Sequence, residues 1–466
     1  MFLGSRLLVI LVLWGGLFAA MPAQASRYTL EQLISKVRAD YDAVNAAKES
    51  AVSAEAALHG ANRMWAPSGD LSFGITGAPK VQCADINGFS SPDRQTRERN
   101  CVSTGYVDLL HVGPNAADAY PIRGVALQLS LNLWQPIYSF GKIEGQQELA
   151  RSNLDAANTQ VDAAREDVAY NAVRAYWGTK WARAADITLS DGLDKMREWI
   201  DKISNDLDAG KTEWNLTDLK RLQLAADSAE MVLADVRRGL AIALAGMRQL
   251  TGDPEADVDE AELDEMPFGG RPLSYYEDAA RLHRPEARAL DASLRSSRAT
   301  RKVRLAEMLP DLGLAFNLYY TYTSSVDTPQ NYFLSHPTTL TANMLLTLRM
   351  PLDLAQRHSR LVQARADERA AEARRKASLG SIALEIETAY ANAEEARARL
   401  ERTHHAEKLA RGWYRAVDDQ VQLGVGQSRD LVEAARSYFE MRMRHLQAIM
   451  DTNVALVYLR RMTGVD

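Results

Sequence analysis

Along residues 125–134, Val125, Leu127, Leu129, Leu131 and Leu133 alternate with Ala126, Gln128, Ser130, Asn132 and Trp134. A period of two puts the five aliphatic side chains on one face of a strand. Three other stretches alternate in the same way: Leu71, Phe73, Ile75; Leu312, Leu314, Phe316, Leu318; and Ala342, Met344, Leu346, Leu348, Met350. The residues between them are mostly small or polar. Each stretch extends to about ten residues, the length of a tilted strand that crosses a bilayer. Trp65, Trp134, Tyr138, Tyr319, Tyr320, Tyr322, Tyr332 and Phe333 gather at the strand ends, as in an aromatic girdle or in ordinary strand packing.

The rest of the pattern is helical. Leu219, Leu222, Ala226, Ala229, Leu233, Val236, Leu240, Ala243, Met247 and Leu250 alternate steps of three and four, as do Ala150, Leu154, Ala157, Val161, Ala164 and Val168. Such spacing buries a seam against a neighbouring helix. His445 and Thr452 occupy equivalent seam positions and read as partly exposed. The periodicity predicts first helices over 29–65 and 274–308, very long helices over 142–208 and 357–422, and shorter ones over 216–250 and 429–461. A helix of some 65 residues is about 100 Å long, too long for a compact globule.

The chain repeats itself. "LNLWQPI" at 131–137 matches "LTLRMPL" at 346–352, and "RQLTG" at 248–252 matches "RRMTG" at 460–464. "LDAGKTEWNLTDL" at 207–219 resembles "VQLGVGQSRDL" at 421–431, around Gly210 and Gly424 and around Asp218-Leu219 and Asp430-Leu431. Two copies, 26–252 and 273–466, flank a linker at 253–272. Its stretch "DPEADVDEAELDE" holds eight acids and no base and reads as solvated.

Residues 1–25 read as a signal peptide: Arg6, an apolar run from Leu7 to Ala20, then Ala23-Gln24-Ala25 before the cut. Its removal takes the net charge from −6 to −7, which argues against nucleic acid as a partner. In an exported chain, Cys83 and Cys101, the two cysteines present, are expected to form a disulfide. No apolar run of 18 residues follows the leader, so a membrane span must be a closed barrel. Four strands cannot close one, because their outer edges would stay unpaired in lipid. Three copies supply twelve, enough for a pore. Leu127, Leu129 and Leu131 then face lipid, and Gln128, Ser130 and Asn132 line water.

This layout resembles the TolC-type outer-membrane efflux proteins. The resemblance rests on the duplicated helix–strand–strand–long helix–short helix order. It rests also on the Pro-terminated first helices ("RMWAPSGDLSF", "AEMLPDLGLAF") and on the Gly-containing tips followed by Asp-Leu. It implies a mainly α fold with a small β part: long coiled-coil-like helices form a tunnel, and four transmembrane strands per chain close a 12-stranded barrel in a homotrimer. It also implies an outer-membrane location with a large periplasmic portion, and partnership with a periplasmic adaptor and an inner-membrane pump. Conduction is passive, in an efflux pump or a type I secretion system. Acids after the second tip correspond by position to a gate, Asp430 and Glu433, with Asp218 as the first-copy counterpart of Asp430. Like charges near a threefold axis repel, hold water and attract cations; a helix N-terminus favours acids for its dipole alone. Gly210, Gly424 and Gly426 are the tip turns, where an adaptor would approach. A Tyr and an Arg that restrain the closed tip in some relatives are replaced here by Val421 and Gly426.

No GxSxG, HExxH or Walker A pattern occurs, and "GVGQSR" at 424–429 lacks the last Gly of a dinucleotide loop. His404 and His405 are adjacent on a helix and cannot share a face. No enzyme activity, cofactor or metal is expected. The alternative is a soluble periplasmic coiled-coil adaptor or spacer, which needs the seams and the leader but not the strands.

Overall fold

The computed structural model describes residues 26–79, 82–85, 99–102, 122–210, 215–260, 262–267, 269–324, 339–423 and 428–464. The leader, Gly424, Gly426, Tyr332 and Phe333 lie outside these residues.

The elements run β1 (Arg27–Tyr28), α1 (Leu30–Asp40), α2 (Asp42–Asn62), β2 (Ser68–Pro79), β3 (Gln82–Asp85), β4 (Arg99–Val102), β5 (Ile122–Tyr138), α3 (Lys142–Asp208) and α4 (Leu216–Thr251). They continue with β6 (Asp257–Val258), α5 (Leu273–His283), α6 (Pro285–Ala306), β7 (Asp311–Thr323), β8 (Thr339–Arg349), α7 (Leu354–Gln422) and α8 (Ser428–Thr463). The long helices have 67 and 69 residues. They match the expected spans to within three residues.

The two predicted first helices are each broken in two. Arg284 is extended (φ −62°, ψ 125°), because Pro285 denies its predecessor the helical region and starts α6 without an N–H to satisfy. Tyr41 is extended too (φ −68°, ψ 136°). There the freed carbonyls of α1 accept from Asn45 Nδ2 (Asp40 O, 3.0 Å) and Lys48 Nζ (Ala39 O, 2.7 Å). Hydrophobic periodicity continues across both breaks, so the pattern alone concealed them.

The chain divides into two compact units, each drawing on both halves of the sequence. One comprises Ser50–Ala157 and Ala289–Ala377. It holds a four-stranded antiparallel sheet in the order β2-β5-β7-β8. Its helices are stitched by ion pairs such as Lys302–Glu148 (2.6 Å) and Arg375–Asp291 (2.5 Å).

The other unit is helical. Leu219, Leu222, Ala226, Leu233 and Val236 of α4 are buried against Ala182, Ala185, Leu189, Leu193, Met196 and Ile203 of α3, the seam that the 3-4 spacing indicates. A second core joins Leu33 and Val37 of α1 to Val168, Ala172, Val173, Tyr176 and Trp177 of α3, with Met247 and Val258. The acidic segment is anchored to this unit. β6 pairs in parallel with β1, and Ala256 and Val258 are buried. Asp259 accepts from Lys180 (2.6 Å) and from the Tyr176 hydroxyl (3.0 Å), and Asp257 pairs with Arg183. Bases on α3 offset the run of acids, which the segment's own composition does not reveal.

Candidate functional site

The strand register sorts the sheet into two faces. On one, apolar rows cross all four strands: Leu71–Leu131–Leu318–Ala342 and Phe73–Leu129–Tyr320–Leu340. On the border strands these side chains lie open, with Leu71 68% and Leu340 70% exposed. Leu127, Leu129 and Leu131 sit mid-sheet on this face, half-covered by their neighbours.

The opposite face is polar. Asp70, Asn132, Asn317 and Asn343 form one row across the four strands. Asn132 Nδ2 donates to Asp70 Oδ2 (3.2 Å), and hydroxyl pairs link Ser72 to Ser130 (2.7 Å) and Thr321 to Thr339 (2.8 Å). One row is apolar on three of its strands, Trp134, Ala315 and Leu345, with Ser68 at its β2 end. A Cβ at Gly313 would collide with the Trp134 indole, so glycine is needed there for the ring to lie down. The Arg349 guanidinium stacks over that ring, 4.7 Å from its centroid. Asp311, opposite Arg349 in register, gives both oxygens to Lys142 Nζ (2.7 and 2.5 Å). Parity foretells this placement: Trp134 shares the even positions of Ser130 and Asn132, so it does not belong with the outward aromatics. Tyr320 and Tyr322 do lie on the apolar face, and Tyr319 on the polar one.

At the helix-turn end, Gly210 takes φ 75° just after α3, a left-handed conformation that a side chain would strain. Asn215 caps α4 by accepting the Asp218 N–H (2.9 Å). Asp218 is mostly covered and lies 3.7 Å from Arg221. Asp430 and Glu433 stand exposed in the first two turns of α8. Asp218 and Glu433 line one groove of 900 Å³ between α4 and α8, shared with Arg221, Arg429, Arg436 and Arg444; Asp430 does not line it. Val421 packs on a core of Tyr414, Val417, Leu431, Ala434 and Ala435.

Between α7 and α8 the seam carries a polar layer. Glu407, 4% exposed, accepts from Arg442 (3.2 Å) and pairs with Arg411. His445 Nε2 lies 3.7 Å from Glu407 Oε2 and 3.5 Å from His404 Nδ1. His445 and Thr452, expected to be partly exposed, are buried. Glu407 and His404 face the imidazole across the seam, and the Thr452 hydroxyl donates to the Ala448 (2.7 Å) and Ala396 (3.2 Å) carbonyls. The seam pattern marked these positions but not their partners on the facing helix. No cluster of three or more metal-ligating groups occurs among the described residues.

Burial pulls the His445 imidazole below its ordinary pKa; Glu407 opposes the shift, and His404 and Arg442 add to it. The unfolded chain therefore binds this proton more readily. The stabilisation from neutral His445 is fully present above the unfolded value of 6.5 and is lost as pH falls toward the folded value. The thermal midpoint in detergent should fall between about pH 7 and about pH 5, and His445→Gln should flatten that fall. An unchanged slope would assign the loss to other groups.

The model of the outer membrane efflux protein family matches residues 123–253 and 277–465. The chain belongs to this family. As an outer membrane efflux protein it is an outer-membrane efflux channel protein, and the family gives no support to a soluble spacer. Solved outer-membrane channels share its fold. OprN is 17% identical with a TM-score of 0.72, over 96% of this chain and 94% of that one. CmeC of Campylobacter jejuni is 15% identical with a TM-score of 0.71, over 99% and 94%. The open state of MtrE from Neisseria gonorrhoeae is 15% identical with a TM-score of 0.68, over 94% and 89%. No curated protein sequence matches this efflux protein. No helix among the described residues is long and apolar enough to cross a membrane.

Proposed function

We propose that three copies of this chain close twelve strands into one outer-membrane barrel and conduct substrates passively. A periplasmic adaptor would deliver them from an inner-membrane pump. One observation carries the reading: a sheet with an exposed apolar face, a polar reverse, and two open borders, β2 and β8. Open borders and lipid are incompatible. Two copies would give eight strands, a bore that side chains fill; three give room for passage.

In this reading the leader is removed after Ala25, and the mature chain is two repeats, 26–252 and 273–466, joined by 253–272. Leu127, Leu129 and Leu131 meet lipid. The backbone pairing of Cys83 with Cys101 across β3 and β4 supports a disulfide there; their side chains lie outside the described residues. Asp430 and Glu433 form the gate, with Asp218 held back by Arg221. Gly210, Gly424 and Gly426 shape the turns that the adaptor approaches.

Planar-bilayer recording tests this. The purified protein should run as a trimer and carry current that multivalent cations block from the helix-turn side. Neutralising Asp430 and Glu433 (D430N with E433Q) should weaken that block about tenfold, the effect of removing six carboxylates around one axis. Unchanged block would remove these residues from the gate; a monomer without current would overturn the channel assembly.

A further inference from the structure

The polar face of the sheet carries three described charges near the helix-proximal strand ends, Asp70, Asp311 and Arg349, and Arg349 is the one cation among them. Lys142 and Asp311 neutralise each other. Asp70 sits on β2, the border strand opposite β8, where Asn132 donates to it. Arg349 is the last residue of β8. Among the described residues no carboxylate pairs with it; its contact is the Trp134 ring.

That contact is built by three strands. β5 supplies the indole, β7 supplies the missing Cβ at Gly313 that lets the ring lie down, and β8 supplies the cation. Stacking on an indole fixes a guanidinium and strips water from one face, while its N–H edge stays free to bind an oxyanion in two-pronged fashion. Beside it runs the apolar row of Trp134, Ala315 and Leu345, set into an otherwise hydrophilic face. A fixed cation next to an apolar strip is complementary to a solute with an acidic head and an aromatic or aliphatic body.

We propose that Arg349, held in place by Trp134, is an anion-contact point of the lumen that favours aromatic or amphiphilic anions over cations of the same size. This rests on the reading that the polar face lines the channel. A threefold assembly repeats the contact three times around the bore. Arg349 touches the solute; Trp134 and Gly313 are positioning residues.

Single-channel recording with benzoate and with benzyltrimethylammonium as probes tests the inference at neutral pH. Benzoate should slow the wild-type current, and the cation should have a weaker effect. Arg349→Gln should raise the benzoate concentration needed about fivefold, as expected for one solvent-exposed ionic contact. Arg349→Lys should fall between the two, because the charge remains without the planar fork. Trp134→Leu should weaken the benzoate effect while leaving the reversal potential in a salt gradient closer to wild type than Arg349→Gln does. Equal effects of the two probes on the wild-type channel overturn the inference without any variant, as does benzoate sensitivity that survives Arg349→Gln. Open channels with either result leave the trimeric channel standing; a wild-type chain that passes no current overturns the channel and the inference together.

Discussion

Leu129→Arg should sharply reduce the yield of membrane-inserted trimer. Leu129 lies mid-strand on β5, in the row Phe73–Leu129–Tyr320–Leu340. In the proposed barrel this position meets lipid, where an arginine near the bilayer midplane costs about 2–4 kcal/mol, and a trimer would bear the penalty in each subunit. Heat-resistant oligomer on unheated gels, scored in the outer-membrane fraction, is the measure. Ser130→Arg, one residue away on the polar face, is the matched control and should assemble near normally. Normal assembly of Leu129→Arg with loss for Ser130→Arg would exchange the two faces.

Asn453→Leu should clearly destabilise the helical unit. Asn453 is fully buried on α8. Its Oδ1 accepts the Met266 N–H (2.8 Å), and its Nδ2 donates to the Asp264 carbonyl (2.8 Å). Leucine has nearly the same size but takes away the partner of two part-buried main-chain groups, at up to about 1–3 kcal/mol each. Thermal unfolding in detergent, followed by helical circular dichroism, should show a clear fall in midpoint. A midpoint at the wild-type value would mean that water replaces the side chain.

Much of this architecture is legible because the chain uses its two periods cleanly. Alternation from Val125 to Leu133 fixes β5 and its faces. The unbroken 3-4 steps from Leu219 to Leu250 fix α4 and the stripe it buries. The breaks at Tyr41 and Arg284 escape because helical periodicity survives a single extended residue. Pro285 was the available signal for one of them; Tyr41 carries none. The site was less legible than the fold. Asp218 reads from the sequence as the counterpart of Asp430, whereas in the fold it is mostly covered beside Arg221, and Glu433 shares its groove with four arginines. Polar partners across a seam, such as Glu407 and His445, sit 38 positions apart, and no local pattern links them. The Arg349–Trp134 stack joins two strands from different halves of the chain, which only register reveals.

In the proposed trimer, the open borders of the sheet also govern how the protein is made. Helical contacts within one chain form at any dilution, whereas sealing β2 and β8 depends on how often copies meet. In that assembly each new chain would pass through a stage in which the rods are set and the ribbon is still sticky. Until its siblings arrive, each molecule would need either a holding chaperone or a nearby bilayer to keep it from clumping.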